Sequence, residues 1–188
     1  MTTLTLSSHD VAVPGTPRHS AAAMLLHWGS AAVLVSAFGL GLLLDDWPKG
    51  TERDTAMMVH YSLGTVVLAL VTIRLLRRLV MPAHAPAEAG VTARIAGLMH
   101  WALYAVMVGL PLAGVFDRWA RGRRLAVFGD IVVPAPFPIP GGKLWKEAHE
   151  ILAWSLVALV VVHTAAALWH HFVLRDGVLR RMLPGRPV

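Results

Sequence analysis

Four histidines lie inside four long apolar stretches of this 188-residue chain: His27, His60, His149 and His163. The last two are 14 residues apart in one hydrophobic run. On an α-helix that spacing is close to four turns, so both imidazoles fall on one face, roughly 21 Å apart. This is about two-thirds of the hydrocarbon thickness of a bilayer. Ionisable side chains at such depth are costly and point to function. Neutral imidazole is a common metal ligand. Two such ligands on one helix, each with a partner on another helix, predict two haems, one above the other.

If helix direction alternates, depth pairs His60 with His149 and His27 with His163. Two axial nitrogens on each iron favour electron transfer and leave no open position for oxygen chemistry. Gly41 lies 14 residues after His27 and Gly64 one turn after His60. Both are expected to let a flat ring approach the backbone. His100, at a depth similar to His27, is the rival ligand. His170 and His171 follow His163 near the membrane interface, where either anchoring or contact with a quinone would suit them. Met57, Met58, Met99 and Met107 read as apolar filling. His9, His19 and His84 lie in polar segments with no case for function.

The elements that must position these residues follow from composition. The chain is 56% hydrophobic and 15% charged, with a mean hydropathy of +0.59. A soluble domain carries about 25% charge. Four segments are long enough to span a bilayer: about 22–44, 56–76, 93–116 and 146–174. Pro111 sits inside the third as an expected kink. A Pro-rich stretch, 133–142, is too broken for a helix or central strand. No internal sequence repeat is visible. The fold class is therefore all-α, a four-helix transmembrane bundle over residues 22–184. A polar tail precedes it at 1–21 and another follows at 185–188. No cleaved signal peptide is expected. The absence of cysteine excludes disulfides, iron–sulfur clusters and covalent haem attachment.

The net charge is +6, but the basic residues cluster between apolar runs, which fits membrane orientation rather than nucleic-acid binding. Cytoplasmic termini put nine Lys/Arg inside and eight outside, an almost even split. Arg74, Arg77, Arg78, Arg175, Arg180 and Arg181 abut helix ends, which favours termini inside. Trp28, Trp47, Trp101, Trp145 and Trp169 read as an interfacial belt, while Trp154 lies deeper. The outer loops carry as many acidic as basic residues, so an anionic substrate needs a local basic funnel. The third-loop arginines Arg118, Arg121, Arg123 and Arg124, with Lys143 and Lys146, are the candidates for it.

The ordered motifs resemble one family. They are His27-Trp28, His60-Tyr61-Ser62-Leu63-Gly64, Met99-His100-Trp101 with Tyr104, and the run from Gly109 through Pro111 to Gly114. His149-Glu150, His163, His170-His171-Phe172, Arg175-Asp176 and the run from Leu179 to Pro184 complete the set. Together they resemble the bacterial cytochrome b561 family of small di-haem membrane proteins. The resemblance implies a four-helix bundle in the inner membrane holding two haem b groups, with His27, His60, His149 and His163 as ligands. It also implies ubiquinone as electron acceptor. By analogy with a member that oxidises superoxide at the periplasmic face, the donor expected here is superoxide or a periplasmic redox partner.

Overall fold

The computed structural model describes residues 19–81, 90–129 and 131–183. The expected tails fall outside these residues except for 19–21, as do His9 and His84. Four helices carry the fold: α1 (Ala21–Asp46), α2 (Thr51–Val80), α3 (Val91–Ala120) and α4 (Gly142–Trp169). All four are long and apolar enough to cross a membrane. The helices overrun the apolar segments at most ends. Hydropathy marks the stretch that lipid tails cover, whereas a 30-residue helix such as α2 is about 45 Å long and also traverses the headgroups.

Local chemistry sets the helix ends. Ser20 caps α1, its Oγ accepting the Ala23 N–H at 3.2 Å. Trp47, forced extended by Pro48, stops it. Arg53 then folds back and donates from Nε to the Leu44 carbonyl at 3.2 Å. Glu52 and Asp54 open α2, and Arg77 and Arg78 close it, matching the helix dipole at each end. α3 runs from Val91 to Ala120 with Pro111 inside it. A left-handed Gly141 turns the chain out of the Pro-rich loop into α4. α4 ends in a π-helical turn, His170–Leu174, closed by a left-handed Arg175.

The α3–α4 connection contains an antiparallel hairpin that hydropathy did not predict. Strands β1 (Leu125–Val127) and β2 (Ile131–Val133) pair Leu125 with Val133 and Val127 with Ile131. Leu125 and Val127 are buried, and the Phe128 N–H donates to Ser62 Oγ on α2 at 2.8 Å. Three-residue strands are too short to leave a clear period-2 signal. Of the Pro-rich stretch 133–142, residues 134–141 form neither helix nor strand, as expected, while Val133 ends β2 and Gly142 opens α4.

α1 packs on α2, α2 on α3, and α3 on α4, whereas α1 and α2 make few direct contacts with α4. The protein core is small, with Val67, Val71, Met107 and Leu156 at its centre. Many large apolar side chains point outward, including Leu25, Val35, Ile95, Leu98 and Ile151. Such a surface is suited to lipid rather than water. Both described chain ends lie at one end of the bundle, where Trp28 Nε1 donates to the Met182 carbonyl at 2.7 Å. That is the terminal end; the β-hairpin marks the other, the hairpin end.

Candidate functional site

The core residues sit midway between two levels of polar chemistry. Each helix carries a pair of site residues 14 apart with an apolar residue halfway. The series are His27–Leu34–Gly41, His60–Val67–Arg74, His100–Met107–Gly114 and His149–Leu156–His163. Because 14 residues return to nearly the same helix face, all four helices present both levels to one interior. The two helix hairpins, α1–α2 and α3–α4, therefore share a plan that residue identities hide. At the hairpin end each supplies one glycine and one histidine.

At that level, the His60 and His149 ring centres are 6.2 Å apart with planes at 75°. His60 Nδ1 lies 3.0 Å from the Ala37 carbonyl on α1. His149 Nδ1 lies 2.9 Å from the Leu110 carbonyl on α3. A carbonyl only accepts, so both Nδ1 atoms carry the proton and both Nε2 atoms keep a lone pair. This is the usual arrangement of a metal-binding histidine with its far nitrogen anchored. A cavity of about 520 Å³ adjoins the pair, lined by Leu34, Phe38, Gly64, Leu68, Trp154 and Leu156 among others. That is within the range of small-molecule and cofactor sites.

At the terminal end, the His27 and His163 ring centres are 6.3 Å apart, and His100 is 5.6 Å from His163. Arg74 Nη2 lies 3.3 Å from His27 Nδ1. Arginine only donates, so this Nδ1 accepts and the His27 proton sits on Nε2, the opposite tautomer to His60 and His149. Arg74 and Arg78 also lie over the Tyr104 ring, and Arg78 over Trp101.

The residues present fit a haem. Two imidazoles on opposite faces of one metal, with metal–nitrogen bonds of about 2.0–2.1 Å, bring their ring centres to about 6.3 Å. Both depth-matched pairs have that spacing, while His100–His163 falls short of it. The helices argue the same way. α4 scarcely touches α1 or α2, which leaves room for a flat group between the paired histidines, but it packs directly on α3, which bears His100.

The mouth of the cavity is cationic. Arg53, Arg118, Arg121, Arg123 and Lys146 line it with Asp117 and Glu150. Arg121 is paired with Asp117 at 2.7 Å and Lys146 with Glu150 at 3.2 Å. Arg118 lies over the Tyr61 ring at 5.3 Å and donates from Nε to the Arg124 carbonyl. Lys143 is not among the lining residues and pairs with Glu147 at 3.5 Å. A second cavity of about 310 Å³ adjoins the mouth, lined by Arg53, Arg118, Arg123, Arg124 and Tyr61 among others.

The glycines differ from each other in role. A Cβ on Gly41 would stand 3.1 Å from His60 Cε1, so the ring that this glycine admits is the histidine's own. Gly64 lines the cavity, and a Cβ there would meet nothing within 4 Å. Gly114, absent from the sequence-based candidates, does for His149 what Gly41 does for His60, at 3.1 Å. Its 14-residue distance from His100 was the available signal. Arg53, Tyr61 and Arg74 were missed too, because helix faces must be known before a residue near a helix end can be placed on a cavity or beside a histidine. At the terminal end, His170 Nδ1 pairs with Asp176 Oδ2, and the Val178 N–H donates to Asp176 Oδ1 at 3.0 Å. Burial pushes the Asp176 carboxyl up, but the bonds from His170 and Val178 outweigh it and hold its pKa below the ordinary value.

Residues 18–185 match the family described as prokaryotic cytochrome b561. Among curated proteins, the chain is 32% identical to cytochrome b561 homolog 2 of Escherichia coli K12, over 88% of this chain and 91% of that one. It is 31% identical to cytochrome b561 homolog 1 of the same organism, over 90% and 98%. It is 28% identical to the probable superoxide oxidase CybB of Yersinia pestis, over 85% and 92%.

Proposed function

We propose that this chain, which belongs to the prokaryotic cytochrome b561 family and is thereby a membrane b-type cytochrome of electron transfer, holds two haems and oxidises superoxide with ubiquinone as acceptor. The observation that carries the reading is the pair of bis-imidazole spacings, 6.2 Å for His60–His149 and 6.3 Å for His27–His163. His60 and His149 would hold the haem at the hairpin end, and His27 and His163 the one at the terminal end. Bound there, each haem would supply reversible one-electron chemistry.

The protein's own groups do the rest. The Ala37 and Leu110 carbonyls fix the ligand tautomer at the hairpin end. Ligation by His27 through Nε2 requires Arg74 to release Nδ1. The lipid-facing helices keep water from the interior. Arg118 and Arg121 at the cavity mouth, with Lys146 and the more peripheral Lys143, would draw an anionic donor toward the His60–His149 level. At the other end the His170–Asp176 pair couples an imidazole to a carboxylate, which suits proton delivery to a reduced quinone. We place the termini in the cytoplasm of a bacterial inner membrane, so that the hairpin end faces the periplasm. The name of the Yersinia pestis relative supports superoxide as donor.

Purified protein mixed anaerobically with superoxide tests this reading. Reduction of a b-type spectrum, followed by reoxidation with ubiquinone, is expected. In His60→Ala and His149→Ala, the same one of two haems should be lost. Intact haems that superoxide leaves oxidised would move the donor to a periplasmic redox protein. Two haems surviving in both variants would refute the ligand assignment.

A further inference from the structure

A helix carbonyl accepts the N–H four residues further on. Its second lone pair is ordinarily screened by side chains of the following turn, whose Cβ atoms tilt back toward it. Glycine at the fourth residue removes that screen. Ala37 and Gly41 stand four residues apart on α1, as do Leu110 and Gly114 on α3. In each case the exposed carbonyl meets an imidazole Nδ1, at 3.0 and 2.9 Å. In each case a Cβ on the glycine would press on that imidazole, 3.1 Å from its Cε1. At Gly114 it would also stand 3.1 Å from Nδ1. The arrangement occurs twice, on different helices, around one pair of rings whose planes cross at 75°.

We propose that Gly41 and Gly114 are matched positioning residues. Each exposes the carbonyl four residues before it, so that two equivalent hydrogen bonds hold the His60 and His149 planes nearly crossed on a shared metal. The inference rests on the reading of these histidines as haem ligands and concerns what sets their orientation. An alanine at either glycine displaces the ring by a few tenths of an ångström, weakens the Nδ1–H bond and frees the plane to turn about the metal–nitrogen axis. Two measurable quantities follow. Crossed imidazoles leave two iron d orbitals nearly degenerate, which gives ferric low-spin haem a highly anisotropic resonance with a large maximum g value. Parallel planes give an ordinary rhombic signal. An anchored Nδ1–H also makes the ligand more basic and favours ferric iron, so losing the anchor raises the midpoint potential.

The experiment is electron paramagnetic resonance and redox titration of the oxidised full-length protein, with Gly41→Ala, Gly114→Ala, His60→Ala and two controls. The controls are Gly39→Ala and Gly97→Ala, where a Cβ meets nothing within 4 Å and the gain in helix propensity is the same. The parent is expected to show a large-g signal that His60→Ala abolishes. Gly41→Ala and Gly114→Ala should convert it toward a rhombic signal and raise the ferrous-to-ferric ratio at fixed potential by up to about tenfold, or about 59 mV for one electron. The controls should leave both unchanged. A rhombic signal from the His60-dependent haem of the parent overturns the inference, whatever the variants do. So do glycine variants whose signal and potential match the parent. If an alanine variant loses the haem, the parent spectrum alone decides. Two intact haems in His60→Ala would instead refute the ligand assignment, and this inference with it.

Discussion

The rate at which an anionic donor reaches the hairpin end should depend on salt in a way the cavity mouth fixes. Five cationic and two anionic side chains line the cavity, leaving an excess of three positive charges. Arg121–Asp117 and Lys146–Glu150 cancel as pairs, so the excess belongs to Arg53, Arg118 and Arg123. In water, three unit charges attract a monoanion at about 10 Å by about 1.2 kcal/mol. Screening leaves about 0.9 kcal/mol at 0.01 M salt and almost nothing at 1 M, where the Debye length is about 3 Å. Haem reduction by superoxide should therefore slow about fourfold across that range. Replacing Arg118 and Arg123 together with Glu turns the excess of three into a deficit of one. That variant should be about sevenfold slower than the parent at 0.01 M, and its rate should rise with salt rather than fall. Stopped-flow absorbance of the reduced haem band measures both slopes. A parent rate indifferent to salt, or a double variant that still slows as salt is added, would refute the steering argument.

At the terminal end, His27→Ala should halve the haem content in a haemochrome assay while His100→Ala keeps both haems. Loss with His100→Ala and retention with His27→Ala would reverse the ligand assignment. Asp176→Asn should slow haem oxidation by ubiquinone without altering either haem spectrum, because it removes the carboxylate charge paired with His170; unchanged quinone kinetics would place the quinone elsewhere. The Asp176 pKa is lowered in the fold, so its contribution to stability is complete above the ordinary value of 3.8 and is lost as pH falls from there through the lowered one. The protection of the Val178 N–H, which binds this carboxylate, against its intrinsic exchange rate should fall as pH is lowered across that acid window and stay constant above it.

The fold was legible because a bilayer imposes few solutions. Long apolar segments must be helical, and alternation of direction then fixes the depth of every residue. Depth alone paired His60 with His149 and His27 with His163, and the structure brings both pairs to within 6.3 Å. The β-hairpin was not legible, since its strands are three residues long and its docking depends on Ser62, a residue on another element.

The glycine–carbonyl anchors were half legible, and the missing half shows what a sequence omits. Gly41 was found by its distance from His27, yet the ring it accommodates belongs to a histidine on a neighbouring helix. Gly114 has the same distance from His100, but the ring it accommodates is that of His149 on α4. The acceptors are backbone carbonyls, so Ala37 and Leu110 carry no side-chain signal at all. A repeat search compares residue identities, and between the two hairpins only the glycine and the histidine coincide at the level of this site. What repeats is a relation: a glycine four residues after a carbonyl, opposite a histidine on the next helix. That relation becomes visible only once helix neighbours are known. It does not extend to the residue 14 positions on, which is Arg74 after His60 and His163 after His149. The two hairpins share the plan at the hairpin end and diverge at the terminal end, where α2 presents Arg74 to His27 and α4 presents His163 in its place.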